Sequence, residues 1–104
     1  MFKKYLKEAQ KKSDYEIYHD SYTSATQTAI DFAIRNGYLT DDEETFKKIG
    51  TGPAKPGRGK TNRIDIKLYK GEVGDLKKTK RVLHFQVYNR ETNKNTYELN
   101  AYIG

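Results

Sequence analysis

The chain has 104 residues, no cysteine and a formal net charge of +6, from 20 Lys and Arg against 14 Asp and Glu. That length allows one domain. The absent cysteines exclude a disulfide scaffold, and no apolar run approaches the ~20 residues of a membrane span. Mean hydropathy is low at −1.01, yet nine Tyr and four Phe supply core-building rings that disordered segments lack.

Met1-Phe2-Lys3-Lys4-Tyr5-Leu6-Lys7 returns to charge too quickly for a signal peptide, so the expected setting is cytoplasmic. The charge is unevenly divided. Residues 1–50 hold eight cations and nine acids, whereas residues 51–104 hold twelve cations and five acids. All the excess positive charge is in the second half, which favours an anionic partner or, more plainly, a solvated basic surface.

Phe2, Tyr5, Leu6 and Ala9 share one helical face and predict a first helix that ends near Ser13-Asp14. Tyr15, Ile17 and His19 alternate as in a strand, but the segment is short and its conformation stays open. Next comes the strongest helix signal. Asp20 and Ser21 offer capping side chains, Ser24-x-x-Gln27 fits a capping box, and Tyr22, Ala25, Ala29, Phe32 and Ala33 form a stripe. Asn36-Gly37 closes that helix. A further capping box, Thr40-Asp41-Asp42-Glu43, predicts a short third helix ending at Gly50.

Residues 50–61 carry four glycines and both prolines, which makes them a flexible basic loop. Within it, Ala54-Lys55-Pro56-Gly57-Arg58-Gly59-Lys60-Thr61 mimics a loose phosphate-binding P-loop. A working P-loop needs a strand before it and a helix after it, and Asn62-Arg63-Ile64-Asp65-Ile66 instead alternates like a strand. The loop therefore reads as a phosphate grip without a nucleotide cofactor.

Three segments with a period of two follow. Ile64, Ile66 and Leu68 share a face in residues 62–70, Leu83, Phe85 and Val87 in 80–90, and Tyr97, Leu99, Ala101 and Ile103 in 96–103. Gly71 to Lys78 reads as a connecting loop, and Glu91 to Asn95 as a polar hairpin turn. The expected architecture is a single α+β domain, residues 1–104. Two to three N-terminal helices within 1–50 pack on one face of a three-stranded antiparallel meander, residues 62–104.

The other sheet face mixes cations, amides and rings. Together with the loop it gives a candidate binding set: Lys55, Arg58, Lys60, Arg63, Lys67, Tyr69, His84, Gln86, Tyr88, Arg90, Asn100 and Tyr102. Cations suit phosphates, amides suit base edges and tyrosines suit stacking, so the expected partner is DNA or RNA. The plainer reading is a wetted sheet face with Tyr packed on Lys stems.

Lys55-Pro56-x-x-Gly59-Lys60-Thr61-Asn62, Leu83-His84-Phe85-Gln86-Val87-Tyr88 and Tyr97-Glu98-Leu99-Asn100-x-Tyr102-Ile103, taken in order, resemble a segment of small uncharacterised proteins of tailed bacteriophages. The resemblance covers about residues 46–104 and brings no catalytic residues with it. It implies a phage origin, as an accessory protein acting in the host cytoplasm or a minor component of the virion; the alternative to nucleic-acid binding is then a phage protein that binds and inhibits a host protein.

Enzymatic patterns are sparse. Two distant histidines do not make a metal site. Asp65-x-Lys67 matches part of a metal-dependent nuclease, with Asp41 or Asp42 needed as the second carboxylate, but an Asp-Lys charge pair across strands explains it more simply. His84, Tyr88, Arg63 and Lys67 could serve a metal-free ribonuclease as acid, base and phosphate clamp. The leading expectation is a non-enzymatic binding protein.

Overall fold

The computed structural model describes residues 15–50 and 55–104. The helix expected before Ser13 and the first half of the Gly/Pro loop lie outside the described residues. Within them the chain runs through a short strand β1 (Tyr18–His19), helix α1 (Tyr22–Arg35) and a one-turn helix α2 (Asp42–Thr45) that continues as a π-turn (Phe46–Gly50). Three long strands follow: β2 (Thr61–Glu72), β3 (Asp75–Asn89) and β4 (Tyr97–Ile103). The sheet is wholly antiparallel in the order β1-β4-β3-β2.

This corrects the expected architecture in two respects. The sheet has four strands, not three, and β1 precedes the helices, so the described helices are not N-terminal. The alternation of Tyr15, Ile17 and His19 is the cause. Tyr15 and His19 turn inward and are buried, while Tyr18 pairs with Glu98 and faces out. The Tyr15 hydroxyl accepts from the Ala101 amide at 3.0 Å, and its ring meets Phe32 edge-on at 5.1 Å. A two-residue strand has no stability of its own; β4 and α1 hold it from either side.

Helix α1 has its predicted start and stop. Ser21 caps the start by accepting from the Ser24 amide at 3.0 Å. At the other end Tyr38 N donates to Ala33 O and Gly37 N to Ile34 O, with Gly37 at φ +92°, the left-handed turn that glycine tolerates. Ala25, Ala29 and Ala33 are fully buried. Their spacing of four lines one helix face with small side chains, which lets the backbone approach the sheet. Against them lie Ile66, Leu68, Leu83, Phe85, Val87 and Leu99, the inward set that the period of two predicts.

The third predicted helix ends at Gly50 as expected, its second part as a π-turn, and Asp41, not Thr40, caps it by accepting from the Glu43 amide. The segment guards the open edge of β2. Leu39 and Tyr69 exchange backbone hydrogen bonds at 2.8 Å, and Lys48 Nζ donates to Asp65 O at 2.7 Å. An unguarded edge would invite pairing with another chain.

The loop expected at Gly71 to Lys78 is also corrected. β2 and β3 stay paired to Glu72↔Asp75, leaving Val73-Gly74 as a two-residue turn. A bulge at the base of this ribbon sets Thr79 to Arg81 opposite Leu68, with Thr79 Oγ1 donating to Leu68 O at 2.7 Å. Gly71 has φ +105°, and a Cβ there would lie 2.5 Å from Asp75 O, so only glycine fits.

Candidate nucleic-acid interface

Because side chains alternate along strands, the outward residues of β2, β3 and β4 fall into cross-strand rows set by the register. One row is Thr61, Tyr88, Glu98 and Tyr18; the next is Arg63, Gln86 and Asn100; the third is Asp65, His84 and Tyr102. Lys67 opposite Val82 ends the series. Among the described residues no helix or loop covers this face. α1 packs on the opposite one.

The middle rows form a concavity of about 410 Å³ lined by Arg63, Asp65, His84, Gln86, Asn100 and Tyr102 over Phe85. Asp65 Oδ1 lies 2.7 Å from His84 Nδ1, and the imidazole stacks on Tyr102 at 4.9 Å and 27°. Asp65 thus does pair across the strands, but with His84 and not with a lysine. The concavity joins five members of the predicted set: Arg63, His84, Gln86, Asn100 and Tyr102. Tyr88 stands exposed in the neighbouring row. Arg90 lies at the end of the face, its guanidinium 4.5 Å from the Tyr18 ring centre and its Nη1 donating to Asn95 O at 3.0 Å.

The basic loop is a docked turn over its described part, not the flexible segment expected. Lys60 N donates to Gly57 O at 2.9 Å, and Gly59 and Lys60 extend the β3 ladder through Asn89. Asn89 is buried. Its Nδ2 donates to Pro56 O at 3.1 Å and its Oδ1 accepts from Glu91 N at 2.9 Å, which binds the turn to the β3–β4 hairpin. Arg58 lies 3.7 Å from Glu91. Lys55, Arg58 and Lys60 are exposed, and Lys60 leads directly into the row of Thr61 and Tyr88. A strand begins at Thr61, so a P-loop's helix N-terminus is missing here.

Tyr69 stands apart from the rest of the predicted set. The bulge sets it beyond the rows, where it pairs with Leu39 at the guarded edge. Partial burial, then the nearby carboxylates of Glu44 and Asp41, push its phenol above the ordinary tyrosine value. Asp41 is engaged as a helix cap, and no cluster of three metal-ligating side chains forms among the described residues.

Three features escape the sequence reading. Tyr18 is one more exposed ring on the outer face; the inward alternation of Tyr15, Ile17 and His19 implies its direction. Asn89 follows the inward Val87 in the same period and so marks a polar group in the core. Lys70, Lys77, Lys78, Lys80 and Arg81 gather along the ribbon, where Lys70 and Lys77 stand directly opposite each other. No protein-family model matches the chain, and neither a curated protein nor a solved structure matches it.

Proposed function

We propose that the outer sheet face binds single-stranded nucleic acid, with the Lys55–Lys60 turn gripping phosphates beside it. One observation carries the reading: Tyr18, Tyr88 and Tyr102 are 45%, 38% and 63% exposed on the same face as Arg63, Lys67 and Arg90. Exposing large rings to water has a cost that a folded chain ordinarily avoids. Bases stacking on those rings would offset it, while the cations meet the backbone between bases. A phage-encoded role in the host cytoplasm or the virion follows from the motif resemblance alone.

The test is a fluorescence-anisotropy titration with single- and double-stranded DNA and RNA at 50 and 200 mM salt. Single strands should bind more tightly than ~10 μM at low salt and lose on the order of 10²–10³-fold at the higher salt, as about six phosphate contacts require. No binding by any of the four would overturn the proposal. The same tyrosines would then serve a protein partner, where Tyr and Arg dominate interface energies.

A further inference from the structure

We infer that the concavity is also a metal-free cleavage site for single-stranded RNA, with His84 as the general base; this rests on the binding reading above. The argument begins with the tautomer. An ionised carboxylate only accepts hydrogen bonds, so the 2.7 Å contact of Asp65 Oδ1 with His84 Nδ1 places the ring proton on Nδ1. In the neutral imidazole, the form that acts as a base, Nε2 then carries the lone pair, and it has no hydrogen-bond partner among the described residues. Tyr102 fixes the plane of the ring by stacking on it.

Gly104 supplies a second, independent observation. Its backbone pairs with Val82 in both directions at 3.0 Å, which holds the residue against the imidazole. A Cβ at this position would lie 3.2 Å from His84 Cδ2 and 3.3 Å from Nε2. Glycine therefore keeps the basic edge of the ring open, and a larger residue would close it.

The other groups of the concavity suit a ribonucleotide. Arg63 lies opposite Gln86, one rung from the row of Asp65 and His84, so it is the diagonal neighbour of His84. Such neighbours have Cβ atoms up to ~7–8 Å apart, a span that one phosphodiester can bridge. Gln86 and Asn100 stand opposite each other and present amide donors and acceptors to a base edge. His84 Nε2 takes the proton of the ribose 2′-hydroxyl, and O2′ attacks the adjacent phosphorus. The O2′–P bond forms and the P–O5′ bond breaks. The departing 5′-oxygen takes a proton from water, and the imidazolium returns its proton to solvent. Arg63 stabilises the added negative charge on the phosphoryl oxygens. The products are a 2′,3′-cyclic phosphate and a 5′-hydroxyl.

The experiment uses the full chain, EDTA and an end-labelled single-stranded RNA, with an all-2′-deoxy strand of the same sequence to report binding. Wild type should cut the RNA to 2′,3′-cyclic phosphate ends. At saturating protein, His84→Gln should lower the cleavage rate by 10²-fold or more, the usual contribution of a general base, a loss far larger than its loss of affinity for the deoxy strand. Asp65→Asn, which removes the acceptor that sets the tautomer, and Gly104→Val, which crowds Nε2, should each slow cleavage at least tenfold at saturating protein, where a change in affinity does not enter the rate. If wild type binds the RNA and leaves it whole, or if His84→Gln cuts as fast as wild type, the catalytic assignment is wrong and the binding reading stands. If neither strand binds, the binding reading fails and takes this inference with it.

Discussion

The two faces of the sheet are made from alternate residues of the same strands, and they could hardly differ more. Ile64, Phe85 and Ala101 form one cross-strand row, and Arg63, Gln86 and Asn100, one position away on β2 and β3, form its neighbour on the other side. The first row packs beneath α1; the second lines an open concavity. Position in the chain is almost the same for both, so chemistry alone separates them. One face excludes water and supplies stability. The other keeps rings, amides and cations available to a partner.

Substitutions on the two faces should therefore separate stability from binding. The largest stability loss should come from Phe85→Ala, which opens a cavity under α1 and should cost ~3–5 kcal/mol in a denaturant melt. Next is Asn89→Ala. It strips two hydrogen bonds from a buried position and leaves Pro56 O and Glu91 N without their partner, a loss of about 1–3 kcal/mol by the same measurement. The same variant frees the basic turn, so its loss of nucleic-acid affinity should exceed what the fraction unfolded explains. Tyr88→Ala should change stability by less than ~0.5 kcal/mol. In a titration with single-stranded nucleic acid it should cost ~1–3 kcal/mol of binding, the range for one stacked base. A melt as damaged as that of Phe85→Ala would show both faces to be structural.

The smallest effect concerns Tyr69. Its phenol is raised in the folded chain, so above the ordinary tyrosine pKa the native state holds more protons than the unfolded one. The stability this group contributes is complete below that value and is lost as pH rises through the raised one. Tyr69→Phe should therefore flatten the alkaline end of a stability-versus-pH curve relative to wild type and leave the neutral range little changed.

The contrast between faces was legible in the sequence because a period of two needs only neighbouring residues. Helix α1 was legible for the same reason: Ser21, the alanine stripe and Gly37 are local signals. The rest depends on distant partners. β1 exists because β4 lies beside it; the alternation of Tyr15, Ile17 and His19 suggests a strand, but so short a segment does not settle it without that partner. The ribbon around Val73-Gly74 reads as a loop because Gly71 and the lysines break the alternation, although Gly71 is what allows the tight pairing. The basic loop reads as flexible because Asn89, which docks it, is about thirty residues further on. In the candidate site, the outward residues could be named in advance, but their grouping could not. Register places Asp65 beside His84 on the next strand, and Tyr69 pairs with Leu39 at the guarded edge of β2.

The most direct test of a dry inner face and a binding outer face is an amide-resolved NMR titration of the chain with a short single-stranded deoxyoligonucleotide. The account predicts shift changes concentrated at Arg63, His84, Gln86, Tyr88, Asn100 and Tyr102 and on the Lys55–Lys60 turn, with Ala25, Ala29 and Ala33 of α1 unmoved. Shift changes centred on α1 with the outer rows silent, or no changes at saturating oligonucleotide, would contradict it.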